Sequence, residues 1–156
     1  MKLNTYLLHF SALFISLLLG LSAHAQEAPP VTSTSSSFGK DTVHYSVVNT
    51  TFLTPQVARS YGIVRGEDKF IINVSVRRQL DGSNIAVRAK VKGSSSDLIH
   101  RTPLEFKEII EQDAIYYIAE FELSNDERQG FRLSVNVENR PSYDIQFNKM
   151  LYIDDE

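Results

Sequence analysis

Two histidines, a handful of carboxylates and a run of serines are the residues of this chain that could do chemistry, and their spacing argues against most of it. Beyond the first 25 residues the histidines are His44 and His100, and neither has a second ligand at His-x-His or His-x-x-x-His spacing. No Asp-x-Asp-x-Asp-Gly loop occurs either, so zinc and EF-hand calcium find no binding pattern. Cysteine is missing altogether, which removes thiolate catalysis, disulfides, cysteine-ligated zinc and lipid attachment together. Ser94, Ser95 and Ser96 follow Gly93 without the Gly-x-Ser-x-Gly elbow of a hydrolase nucleophile. Glu120 and Glu122 share one strand face with Tyr116 and Ile118, as solvated residues do, rather than flanking a sugar bond from separate strands. No glycine-rich loop joins a strand to a helix to cradle phosphate. The pattern predicts no catalytic residue, no metal and no cofactor.

Two surface features could bind a partner. The first is NTTFLTPQVARSYGIVRG, residues 49 to 66, where the strand-like alternation of the chain stops. Thr54 and Pro55 read as the cap and first residue of a helix: the threonine oxygen takes an orphan amide hydrogen, and proline has none to leave unpaired. Gly62 is placed to end that helix in a left-handed conformation, which predicts a helix over 55–61. Leu53, Val57 and Tyr61, spaced by four and joined by Phe52, supply one apolar face. Two readings follow. The helix plugs an open end of the fold as a packing corner, or Arg59, Tyr61 and Arg65 form a contact site. The second feature is a basic stripe, Arg88, Lys90 and Lys92, with Arg77 and Arg78 across a turn from it. Such a stripe either keeps a sheet edge solvated or meets an anionic partner.

The elements that would position these residues are strands. Phe70, Ile72, Val74 and Val76 alternate with polar residues; so do Ile85, Val87, Ala89 and Val91; Ile115, Tyr117, Ala119, Phe121 and Leu123; and Phe131, Leu133, Val135 and Val137. Asp81-Gly82 is a two-residue hairpin signal between strands 70–78 and 84–92, because both turn positions need positive φ. With 41–49 and two less regular stretches, 100–110 and 143–153, the count reaches seven to eight short strands separated by turns. That is the signature of an all-β, immunoglobulin-like sandwich of antiparallel strands with one short helix. Lys149 falls in the inward phase of the last stretch, which predicts a bulge or strand end near Asn148. Tyr116 and Ile118 lie on the nominally outer face of a strand already apolar inside, so that strand is covered on both faces or offers an apolar patch.

The ends of the chain carry a different message. Lys2, an apolar run from Tyr6 to Leu21, and Ala23-His24-Ala25 make a signal peptide cleaved between Ala25 and Gln26. The remaining 131 residues have 15 basic and 19 acidic side chains, one domain's worth of chain with none of the basic excess of a nucleic-acid binder. Residues 26–40, rich in Pro, Ser and Thr, read as a flexible leader. The single domain then spans 41–153, and Asp154-Asp155-Glu156 forms a solvated tail. No membrane span is expected in the mature chain, and a cysteine-free exported domain fits a bacterial periplasm.

The run NTTFLTPQVARSYGIVR at 49–65, followed by INVSV at 72–76 and AIYYIAEF at 114–121, resembles a family of small exported Gram-negative proteins known as domain of unknown function 4426. The likeness spans about residues 40 to 153. It implies a compact periplasmic sandwich with an immunoglobulin-like look, and it implies no activity, substrate or functional residue. Three functions stay open on these grounds. One is a non-catalytic periplasmic binding or accessory module that contacts another envelope protein. A second is a small-ligand or glycan-binding sandwich, whose aromatic platform would come from the tyrosines. The third is an enzyme, which would need a cleft holding a strongly perturbed titratable group.

Overall fold

The structure, a computed structural model, describes residues 34–97 and 99–153. The expected signal peptide, its cleavage site, most of the leader and the acidic tail lie outside the described residues. Ten antiparallel strands, one α-helix and one 3-10 turn (Thr50–Phe52) are present among those described. The strands are β1 (Ser35–Phe38), β2 (Asp41–Asn49), β3 (Lys69–Leu80), β4 (Ser83–Ala86), β5 (Ala89–Ser96), β6 (Arg101–Leu104), β7 (Lys107–Ile110), β8 (Ile115–Glu122), β9 (Glu127–Val137) and β10 (Tyr143–Leu151). One sheet runs β1-β2-β3-β8-β7, with β4 also paired to β3; the other runs β10-β9-β5-β6. The result is an all-β sandwich with more strands than the seven or eight expected, because four of the ten have only four residues each and too little alternation to register as a pattern.

Period-two alternation fixes the inner faces as predicted for β3, β8 and β9. Ile72, Val74 and Val76 are fully buried and face Phe131, Leu133 and Val135 of the other sheet in one continuous core. Stacked rings at its centre join the sheets: Tyr45 lies 4.7 Å from Phe147, and Phe147 lies 5.0 Å from Phe131, centroid to centroid. Asp81 and Gly82, with φ of 47° and 81°, form the expected hairpin turn.

Four expectations need correction. The strand expected over 84–92 is two strands. The chain pairs with β3 up to Ala86, makes a last bond from the Val87 amide to the Val76 carbonyl at 2.9 Å, and then enters the opposite sheet as β5. Ile85 is therefore exposed at a sandwich end rather than buried, because a strand that changes sheets cannot keep one face on the core. β10 continues unbroken through Lys149, paired to Gln129, with no bulge or strand end near Asn148. The lysine keeps its inward phase because its Nζ donates to the Val47 carbonyl of the other sheet at 2.7 Å. The flexible leader expected over 26–40 ends earlier, since Ser35–Phe38 pairs with β2. Strand pairing uses backbone groups and needs little apolar side chain, and Phe38 adds a stack on Tyr143 with ring centroids 4.4 Å apart. His100, expected on a strand, sits in the turn before β6.

Candidate functional site

The interrupted stretch folds into a closed corner. Helix α1 (Pro55–Tyr61) has the predicted bounds and caps: Thr54 Oγ1 accepts from the Val57 amide at 3.3 Å, and Gly62 adopts φ 66°. Its base is a clasp that sequence reading missed. Buried Asn49 accepts from the Thr51 amide at 2.8 Å and donates through Nδ2 to the Glu67 carbonyl at 2.5 Å. Buried Thr50 donates to the Gly66 carbonyl at 3.1 Å and accepts from the Gly66 amide at 3.0 Å. Two adjacent polar side chains thus hold the point where the chain returns. The visible signal was Asn-Thr-Thr leading a turn, where short polar side chains replace backbone partners.

The corner does not plug a sandwich end. Ala58, Ile63 and Ile71 form a second buried cluster, joined by Val48, Leu53, Tyr61 and Ile118, on the outer face of the six-stranded sheet. This covers Ile118, so β8 is apolar on both faces because both are packed. Leu53 and Tyr61 of the expected face pack there, but the helix turns Ala58 rather than Val57 to the sheet, about 100° round the axis. Val57 is left 39 % exposed, Phe52 78 % and Val64 61 %.

Of the three predicted contact residues, two are engaged within the protein. Tyr61 donates its hydroxyl to Glu111 at 2.5 Å, and that bond holds the phenol above its ordinary pKa. Arg65 Nη2 donates to the Thr51 carbonyl at 2.9 Å. Among the described residues, Arg59 alone of the three makes no side-chain hydrogen bond or ion pair. The Arg65–Thr51 bond brings the two ends of the loop together, so Phe52 and Val64 flank the same point.

The basic residues are not one stripe. Arg77 and Arg78 lie on the six-stranded sheet, Lys90 and Lys92 on the four-stranded one, and Arg88 at the crossing between them. Arg77 ties the Asp113 carbonyl, at 2.6 Å, to Asn84. Arg78 points inward and grips Asp41 at 2.5 and 2.8 Å. The Asp41 carboxyl is held below its ordinary pKa chiefly by that bond. Arg88 holds Glu108 at 2.8 and 2.5 Å; Glu108 accepts from the Tyr117 hydroxyl at 3.1 Å, and that hydroxyl accepts from the Ala89 amide at 2.7 Å. Of these five basic residues, Lys90 and Lys92 are the two without such a partner among the described residues. The β8 carboxylates Glu120 and Glu122 pair with Lys107 and Lys69. No group of three or more His, Asp or Glu placed to hold a metal occurs among the described residues, and no helix among them is long and apolar enough to cross a membrane.

These features define a β-sandwich domain whose ion clusters close on themselves and whose corner presents apolar side chains. The chain belongs to the DUF4426 family, a domain of unknown function, which it matches over residues 35–154. It is similar to a DUF4426 family protein from Pseudomonas aeruginosa PAO1 known from a crystal structure: the identity is 36 %, the TM-score 0.68, and the match covers 80 % of this chain and 97 % of that one. No curated protein matches the chain.

Proposed function

We propose that the protein is a non-catalytic binding module of the bacterial periplasm that docks another envelope protein through the 49–67 corner. The observation that carries this reading is the exposure of Phe52, Val57 and Val64 on a segment that is otherwise clasped at its base and packed on the sheet. Exposed aromatic and aliphatic side chains on one short segment that also carries an uncommitted arginine are the composition of a protein contact. Arg59 sets the partner's chemistry: an apolar recess bordered by a carboxylate. The signal-like first 25 residues support export, and the absence of cysteine fits it. The saturated Arg78–Asp41–Tyr143 and Arg88–Glu108–Tyr117 clusters support a structural use of the polar residues they contain. Glycan binding is less well supported, since Tyr45, Tyr117 and Tyr143 are spent in the core.

A photo-crosslinking residue at position 52, against a control at Arg132 on the far sheet, tests the reading in intact cells. One defined partner captured at 52, not at 132, and lost on Arg59→Glu supports it. Equal capture at both positions, or capture indifferent to Arg59→Glu, overturns it.

A further inference from the structure

Five strands have a single strand partner among the described residues: β1, β4, β6 and β7, with four residues each, and β10, with nine. A short edge is one way a sheet avoids pairing with other chains, and β6 adds a proline, Pro103. β10 has neither safeguard. It pairs with β9 along its whole length without a bulge or a proline, and no described strand lies on its other flank. A strand paired on one side only presents a row of backbone donors and acceptors on the other.

Two further features suit this edge to an added strand. Phe147 stacks on Tyr45 and Phe131 in the core, yet it is only half-buried. Solvent reaches an inward ring on an edge strand from the flank, so the core is unsealed there. An inward-pointing charge on an edge strand repels an incoming one, but Lys149, the inward charge of β10, is drawn away to the Val47 carbonyl of the other sheet at 2.7 Å. The outward phase carries Asp144, Gln146, Asn148 and Met150, with a single charge among them.

We propose that β10 pairs antiparallel with β10 of a second copy, two-fold about Phe147, so that the two four-stranded sheets become one. Symmetry and charge select that occupant. Phe147 is the midpoint of Tyr143–Leu151, so an axis there keeps the whole strand paired, and the same patch serves both copies. Phe147 meets its own counterpart, an aromatic cross-strand pair that extends the ring stack. Gln146 then lies opposite Asn148 of the second copy, Asp144 opposite Met150 and Lys149 opposite Ile145, so neither charge of the strand meets its like. The corner packs on the outer face of the six-stranded sheet, so neither proposal depends on the other.

Sedimentation velocity of the purified protein at rising concentration tests the pairing. A reversible monomer–dimer equilibrium in the micromolar range is expected, since edge pairing buries less than a standard interface of about 1,600 Å². Hydrogen exchange of the β10 amides should slow as the dimer forms. Two double variants read the register. Gln146→Glu with Asn148→Glu sets two carboxylate pairs across the axis and should weaken the dimer about tenfold, from the cost of like charges directly opposite. Gln146→Glu with Asn148→Lys sets opposite charges at the same positions and should hold the dimer at the parent's strength or tighter. Both positions are exposed, and Gln146 lies opposite Arg132 of β9, so both variants keep the monomer fold, which circular dichroism checks. A monomer at every concentration, a dimer whose β10 amides exchange as freely as the monomer's, or two double variants that behave alike overturns the proposal. A monomer whose β10 amides are protected only in periplasmic extract overturns it in favour of a strand from another protein.

Discussion

Tyr143 on β10 donates its hydroxyl to Asp41 on β2 at 2.7 Å, across the two sheets and 102 positions along the chain. Asp41 is 2 % exposed and also takes both Arg78 bonds. One carboxylate therefore fastens the first long strand of the fold to its last. Asp41→Ala strands the inward Arg78 charge and should cost about 3 kcal/mol, within the range for breaking a buried ion pair. Tyr143→Phe loses one charge-assisted bond and should cost about 1.5 kcal/mol. Urea unfolding of both singles and the double gives the coupling; additive losses would show that the two residues act independently.

The same carboxylate predicts a pH dependence. The Arg78 bond lowers the folded pKa of Asp41 below its unfolded value of about 3.9. The unfolded state then binds the proton more readily, so this stabilisation is complete above the unfolded pKa and is lost as pH falls through the folded one. Thermal melts between pH 5 and pH 2 should fall less steeply for Asp41→Asn than for the parent, from a lower starting point. Parallel curves would contradict the assignment.

Thr50→Val keeps the shape of a fully buried side chain but removes both bonds to Gly66. Leaving the Gly66 amide and carbonyl unmet should cost about 2 kcal/mol. Hydrogen exchange should speed up across the corner first, since the sheets do not depend on the clasp. Uniform loss of protection would mean that the corner and core unfold as one.

Glycines at two positions should respond differently to alanine. At Gly62 a Cβ meets nothing within 4 Å, so Gly62→Ala carries only the left-handed backbone penalty, about 1 kcal/mol, and Gly62→Asn less. At Gly93 a Cβ would lie 2.8 Å from the Arg132 carbonyl oxygen of the paired strand. Gly93→Ala must push β5 from β9 and should cost more than Gly62→Ala. Denaturant midpoints rank the three variants, and the reverse order would refute the steric reading.

Arg59→Glu should leave stability within about 0.5 kcal/mol of the parent, as exposed substitutions without partners do. A larger loss would place Arg59 in the packing of the corner rather than on its contact surface.

Local signals were legible in the residues alone. The bounds of α1 follow from Thr54, Pro55 and Gly62, and the β3–β4 turn from Asp81-Gly82, because caps and tight turns are decided by neighbours in sequence. The cores of β3, β8 and β9 follow from alternation, which any half-buried strand must show. Only the tertiary structure decided the rest. Residues 85–91 alternate as one strand, yet the sheet to which each half belongs depends on pairing with Arg77–Leu80 and with Ser134–Val137, far off in the chain. Nothing local tells Arg78, Arg88 and Lys149 from solvated cations; each is held by a carboxylate or carbonyl that folding brings from another strand. The helix face is half legible for the same reason: amphipathic spacing places Leu53 and Tyr61 against the sheet, but that Ala58 rather than Val57 packs with Ile71 depends on how the corner lies across strands distant in the chain.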